Sequence, residues 1–282
     1  MIFKICQFMN IRFYKPTSNG TRHRSVSQFI GKMSFMPKRL YIGYHRSKGR
    51  NNRGVITSRQ RGGGQRRLYR YIDFKRNFTN MYAKVVGIHY DPNRNARLAL
   101  LTYQNNVNRY IICPHMLSIG DSVIATDKAP IQVGNALPLS KIPLGTPIHN
   151  IELKPGQGGK LVRAAGATAQ IIAKEGSWAS VRLPSDEVRI FSVKCWATIG
   201  QVSNLSMSNT TLGKAGINRW KGKRPHVRGS AMNAADHPHG GGEGRAPIGR
   251  SNARTPWGKV AIGPHTRKNK KYSNIVQIKR CR

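Results

Sequence analysis

Between residues 81 and 126, short β-branched and aromatic runs alternate with turn formers, a pattern that predicts strands over 81–90, 96–103, 108–113 and 121–126. Asp91-Pro92-Asn93-Arg94-Asn95 and Ser118-Ile119-Gly120 separate them, so the set reads as a small antiparallel barrel. A Pro- and Gly-dense connection over 129–147 leads to a second set at 148–153, 170–174, 178–183, 188–193 and 197–202. Pro184-Ser185-Asp186-Glu187 reads as a hairpin turn, and Trp178 and Trp196 fall within apolar patterns that assign them to the core. No helical period is long enough for a crossover. The fold class is therefore mainly β, with two consecutive small barrels.

Outside this middle the apolar period fades. Residues 15–67 are punctuated by turn formers and cations, and no core of their own is expected. From Leu212 onward the signal fades again: residues 213–228 fit one short basic helix, and 228–245 have neither a helical nor a strand period. There Gly240, Gly241, Gly242 and Gly244 bare the backbone, and Pro238 fixes φ between His237 and His239. Such a loop is built to approach something closely.

Charge says what. Forty-nine Lys and Arg oppose ten Asp and Glu, giving +39 over 282 residues and a pI near 11.3, against a hydrophobic fraction of 38%. Residues 1–76 carry 19 basic and 1 acidic side chains, 77–213 carry 13 and 7, and 214–282 carry 17 and 2. A nearly balanced middle lies between two cationic arms, and the partner they call for is a polyanion. Tyr41, Tyr44, Tyr69 and Tyr71 interleave with Arg and Gly in the first arm, which favours a segment that orders on RNA over a solvated tail. The cations expected at RNA are Arg61, Arg66, Arg67, Arg70, Lys75 and Arg76 in the first arm, then Arg219, Lys221, Lys223, Arg224 and Arg228 in the second, with His237, His239 and Arg245 in the glycine loop. Arg94 and Arg163 sit beside tight turns, where backbone and guanidinium can address one phosphate together. Trp220 and Trp257, in the basic segment, stay open between stacking on bases and packing.

Other chemistries find less support. Gly62-Gly63-Gly64 and Gly156-Gln157-Gly158-Gly159-Lys160 both lack P-loop spacing. Cys6, Cys113, Cys195 and Cys281 show no CxxC or zinc-finger spacing, so neither a disulfide framework nor a metal is expected, and a reducing compartment is. No apolar run approaches the roughly 20 residues that span a bilayer. Met1 to Met9 is too short for a signal segment and lacks transit-peptide character, so synthesis in the working compartment is expected, with Met9 an alternative start. Asp236-His237 invites a catalytic reading, with the carboxylate orienting an imidazole base; against it, the histidines hydrogen-bond or stack on nucleotides, or His237, His239 and Asp236 hold a metal. A DNA-compacting protein is a third reading.

Longer motifs carry a resemblance. Gly222-Lys-Arg-Pro225, Ala231-Met-Asn233, Asp236-His-Pro-His-Gly-Gly-Gly-Glu-Gly-Arg245 and Thr255-Pro-Trp-Gly258 resemble the universal large-subunit ribosomal protein family called L-two. Asp73-Phe-Lys-Arg-Asn77, Tyr90-Asp-Pro-Asn-Arg94, Ile148-His-Asn150 and the stretch 158–166 resemble it in the same order. The resemblance implies an OB-like barrel at 77–128 and an SH3-like barrel at 129–204, flanked by basic extensions at 1–76 and 205–282. It implies no enzyme and no cofactor, but a structural protein of the large subunit that binds its rRNA, contacts other ribosomal components, and extends a loop towards the peptidyl transferase centre. It also implies support of subunit association and tRNA binding, with small-subunit rRNA and tRNA as further partners and neither membrane nor homo-oligomer. Arg94 and Arg163 match positions associated with rRNA binding, and His237 matches the histidine associated with peptidyl transfer. Residues 245–250 and Lys271-Tyr272-Ser273 look most like the plastid branch, implying an organelle-encoded chloroplast protein, with a bacterial cytoplasm or a mitochondrion as alternatives. Ala234-Ala235 departs from the family's Pro-Val, and Gln60 and Gln65 from its histidines beside the glycine triplet.

Overall fold

The computed structural model describes residues 11–28, 36–244, 246–263, 266–268 and 270–279. Met1 to Met9 with Cys6, the loop's Arg245, and the end from Arg280 through Cys281 lie outside them. The chain divides into two units, one of Met1–Arg46, Arg66–Ile217 and Val276–Arg282, the other of Ser47–Gln65 and Asn218–Ile275.

In the first unit, β1 (Ile11–Phe13) pairs with β2 (Ser25–Ser27) and β3 (Tyr41–Tyr44) with β4 (Arg67–Arg70). The first barrel's sheet then runs β7-β6-β5-β8, from β5 (Ala83–His89), β6 (Leu98–Tyr103), β7 (Asn108–Ile112) and β8 (Ser122–Val123). Along β5 buried and outward residues alternate, whereas β6 is buried on both faces. Ala99, Leu101 and Tyr103 turn inward onto Ala83, Val85, Ile111 and Val123. Leu98 and Leu100, on the opposite face, pack with Tyr110 and with Leu40 from the arm. The arm expected to lack a core thus covers the outside of the barrel. Sequence periodicity could not show this, because one leucine among cations carries no pattern.

The second barrel contains β9 (Ala136–Pro138), β10 (Pro147–His149), β11 (Ile151–Glu152), β12 (Gly159–Leu161), β13 (Ala169–Glu175), β14 (Trp178–Arg182), β15 (Val188–Ser192) and β16 (Trp196–Ile199). With β17 (Gln277–Lys279) these form a sheet in the order β17-β15-β14-β13-β10-β16-β9, while β11 pairs with β12. Ile148, Ile171, Val181, Phe191 and Ile199 fill the core. The turn expected at 184–187 is present, closed by Leu183 N–H to Glu187 O at 2.9 Å, with Asp186 at φ 61°. Trp178 is corrected: inward Ala179 and Val181 set the strand's parity, so Trp178 points out and is 54% exposed. Near its end the second cationic arm adds β17 as an edge strand, and Gln277 donates to Glu187 at 2.9 Å. The fold is mainly β, an OB-like barrel followed by an SH3-like one.

Buried polar groups are satisfied within the second barrel and at its edge. His149 donates from Nδ1 to Gly200 O at 2.8 Å, and burial pulls its pKa down to about 4. Arg76, expected at RNA, is instead buried and donates to Gly134 O at 3.2 Å. Its guanidinium is committed inside the protein. Glu152, also buried, accepts from the N–H groups of Gly156, Gly158 and Trp196 at 3.2, 2.8 and 3.1 Å. That carboxylate, not a phosphate, explains the glycine-rich stretch at 156–160.

Candidate nucleic-acid interface

In the first unit the site is built on the turn after β5. Asp91, 1% exposed, accepts from Asn93 N–H at 2.9 Å and Arg94 Nε–H at 2.7 Å, so the turn holds its own arginine. Arg70 Nη1 lies 3.8 Å from the same carboxylate. Arg94 is aimed over the Phe74 ring, its guanidinium carbon 5.7 Å from the centroid, and Arg163 reaches the same ring at 4.4 Å. Arg163 Nη1 also donates to Gly159 O at 3.2 Å. Its pKa is lowered, first by burial and then by the neighbouring Arg94 charge, which is the signature of two cations held close.

Arg94 leaves its two terminal nitrogens without a protein acceptor among the described residues. One carboxylate, Asp91, faces the Arg70 and Arg94 guanidiniums, and Arg163 lies over the same ring as Arg94, which leaves a local excess of positive charge. Lys75 is exposed on the same segment, its stem crossing Gly158, where a Cβ would meet Lys75 Cγ at 2.8 Å. Arg70 is buried and serves as a counter-charge rather than a surface contact. Arg66 is exposed and Arg67 half-buried at the start of β4.

The second unit gathers the remaining expected cations. Gly62 N–H donates to Gly222 O and Gln65 N–H to Trp220 O, both at 3.1 Å, and Arg224 N–H donates to Gln60 O at 3.0 Å. These bonds set the first arm's glycine triplet against the segment after the short helix Ala215–Trp220, so Arg61 pairs with Lys223 across a bridge. Arg61, Arg219, Lys221, Lys223, Arg224 and Arg228 are all exposed. Arg59 stacks over Trp257 at 5.1 Å, giving that tryptophan a partner within the protein.

In the glycine loop, His237 is buried and its Nδ1 accepts from His239 N–H at 3.0 Å, while His239 Nε2 accepts from Arg254 N–H at 2.7 Å. A base oriented by a carboxylate donates from Nδ1, and here that nitrogen is an acceptor. Asp236 is exposed and makes no bond to the ring among the described residues. The Asp236–His237 dyad is therefore not assembled, and His237 packs within the loop. Among the described residues no three His, Cys, Asp or Glu side chains gather as a metal would need. Gly240 packs against Asn233 O, leaving no room for a Cβ, so part of the loop's glycine content serves its own folding.

Phe74 and Asp91 were not among the expected site residues. The signal was an acid opening a Pro-Asn turn in an acid-poor chain, and an aromatic next to Asp73 and Lys75.

Paired barrels with guanidiniums set on aromatic rings at the surface define an RNA-binding protein. Residues 37–125 match the family model described as Ribosomal Proteins L2, RNA binding N-terminal domain, and residues 132–258 match Ribosomal Proteins L2, C-terminal domain. The chain belongs to the ribosomal protein L2 family, whose members are structural, RNA-binding proteins of the large ribosomal subunit.

Proposed function

We propose that the chain docks its barrels on large-subunit rRNA through the Arg94–Arg163 face, while residues 228–245 reach towards the peptidyl transferase centre. The observation that carries this is the convergence of Arg94 and Arg163 on Phe74, two guanidiniums over one ring of which Arg94 is paired through Nε with Asp91, so that a phosphate would offset the remaining charge. Arg61, Arg66, Arg67, Lys75, Arg219, Lys221, Lys223, Arg224 and Arg228 extend the contact along both arms, joined by Arg245 and by His239 in the loop. The loop positions RNA and supports subunit association and tRNA binding; bond-making belongs to the RNA. The engaged Nδ1 of His237 supports that division over a catalytic reading. The bounds 1–76, 77–128, 129–204 and 205–282 serve as working domains. The motifs at 245–250 and 271–273 support a plastid ribosome as the place of work.

Crosslinking in purified large subunits tests this reading. Adducts from Arg94, Arg163 and the loop to defined rRNA positions are expected, with loop adducts falling near the peptidyl transferase centre. Loop adducts confined to proteins, or to rRNA remote from that centre, contradict it.

A further inference from the structure

In the second unit, Gly62, Gly63 and Gly64 form one wall of a cleft of about 490 Å3, and Arg219, Trp220 and Arg224 form much of the rest. The three glycines have φ of 147°, 59° and 82°, a succession that side chains strain to follow. A Cβ on Gly64 would meet Gly222 N at 2.7 Å and Trp220 O at 2.8 Å, so internal packing explains that glycine. Gly63 is different: a Cβ there would meet nothing within 4 Å. The wall is pinned at both ends by the bonds of Gly62 to Gly222 and Gln65 to Trp220, and between them Gly64 N–H finds no acceptor among the described residues. Trp220 is 52% exposed, and the Arg224 stem crosses Gly62, whose Cβ would meet Arg224 Cδ at 3.3 Å. The cleft's lining thus brings together a half-exposed tryptophan, two exposed arginines and bare backbone. Its size lies within the range of small-ligand pockets, about 300–1,000 Å3.

We propose that this cleft takes one unstacked nucleotide of RNA, its base against Trp220 and its phosphate between the Arg219 and Arg224 guanidiniums and the backbone N–H of Gly64. A nucleotide is the ligand that joins a flat π face to an anion at this spacing, and rRNA offers such nucleotides wherever a base leaves its helix. A paired base keeps its faces inside the stack and cannot enter. The inference rests on the rRNA-binding reading and adds the form of RNA the second unit selects.

The test uses the full chain with two RNA hairpins, one carrying a single extruded adenosine and the other fully paired. The wild-type chain is expected to prefer the bulged hairpin by about tenfold, the worth of one base stacked on an aromatic ring. Trp220→Ala removes that preference while leaving the paired hairpin's affinity and the salt dependence unchanged, and Trp220→Phe keeps most of it. Equal binding of both hairpins by the wild-type chain, a preference that survives Trp220→Ala, or a loss equal on both hairpins overturns the nucleotide site and leaves the rRNA-binding reading standing. Salt-independent binding by the wild-type chain overturns both.

Discussion

The His237 ring fills the space that a side chain at Gly229 would need: a Cβ there would lie 2.6 Å from Nε2 and closer still to Cε1 and Nδ1. The glycine that opens the loop and the histidine at its centre are one packing unit. Gly229→Ala must displace the ring, and with it the acceptor of the His239 amide and the alignment of His239 with Arg254. The expected cost is about 1–3 kcal/mol of local stability, as for overpacking elsewhere. Hydrogen exchange checks it: the His239 and Arg254 amides should exchange faster, and protection in the two barrels should not change.

The same geometry predicts what His237→Ala does to the ribosome. General acid–base catalysis by a side chain contributes about 100- to 10,000-fold. Because Nδ1 of His237 accepts a bond within the loop and Asp236 does not orient it, large subunits carrying His237→Ala should form peptide bonds at rates within about threefold of wild type. Rapid-mixing measurement on particles checked for occupancy decides; a fall of about 100-fold or more would restore a chemical role.

Much of the fold could be read from the chain, and for a definite reason. Strands that face one core announce themselves by alternation, as Ala179 and Val181 do in β14, and the turn at 184–187 by its Pro and Asp. Alternation fixes parity only once a partner strand is known, which is why Trp178 was assigned to the wrong face. Positive charge pointed to a candidate interface but could not sort its members. Arg76 and Arg94 look alike in sequence, yet a buried carbonyl at Gly134 claims one, and the Asp91 turn presents the other. Contacts such as Leu40 on Leu98 and His237 on Gly229 join residues with no shared period, so no local pattern encodes them.

His149, buried in the second barrel, makes it sensitive to acid. Its folded pKa, about 4, lies below the ordinary histidine value of 6.5, so between these values the unfolded chain binds the extra proton. Stability is then full above about pH 6.5 and falls as pH drops towards 4, by an amount on the order of 3 kcal/mol from this group. Urea unfolding from pH 7 to pH 4 should show the loss, and His149→Gln, which keeps a donor for Gly200 O without a titrating ring, should flatten it. An unchanged slope in the variant would assign the acid sensitivity elsewhere.

Arg94 and Arg163, over one ring, are expected to serve one phosphate. Each single change to Gln should then leave the slope of log affinity against log salt nearly unchanged, because the remaining guanidinium still neutralises the phosphate, and the double change should reduce it by about 0.7–0.9. Titrations of the three variants with large-subunit rRNA distinguish this from two separate phosphates, for which the reductions add.

The account stands most directly on one titration: binding of the full chain to large-subunit rRNA across a range of salt concentrations, with duplex DNA as competitor. If about ten phosphates are neutralised, log affinity should fall against log salt with a slope of roughly −7 to −9, and rRNA should outcompete duplex DNA. A flat dependence, or equal affinity for the two nucleic acids, would contradict it.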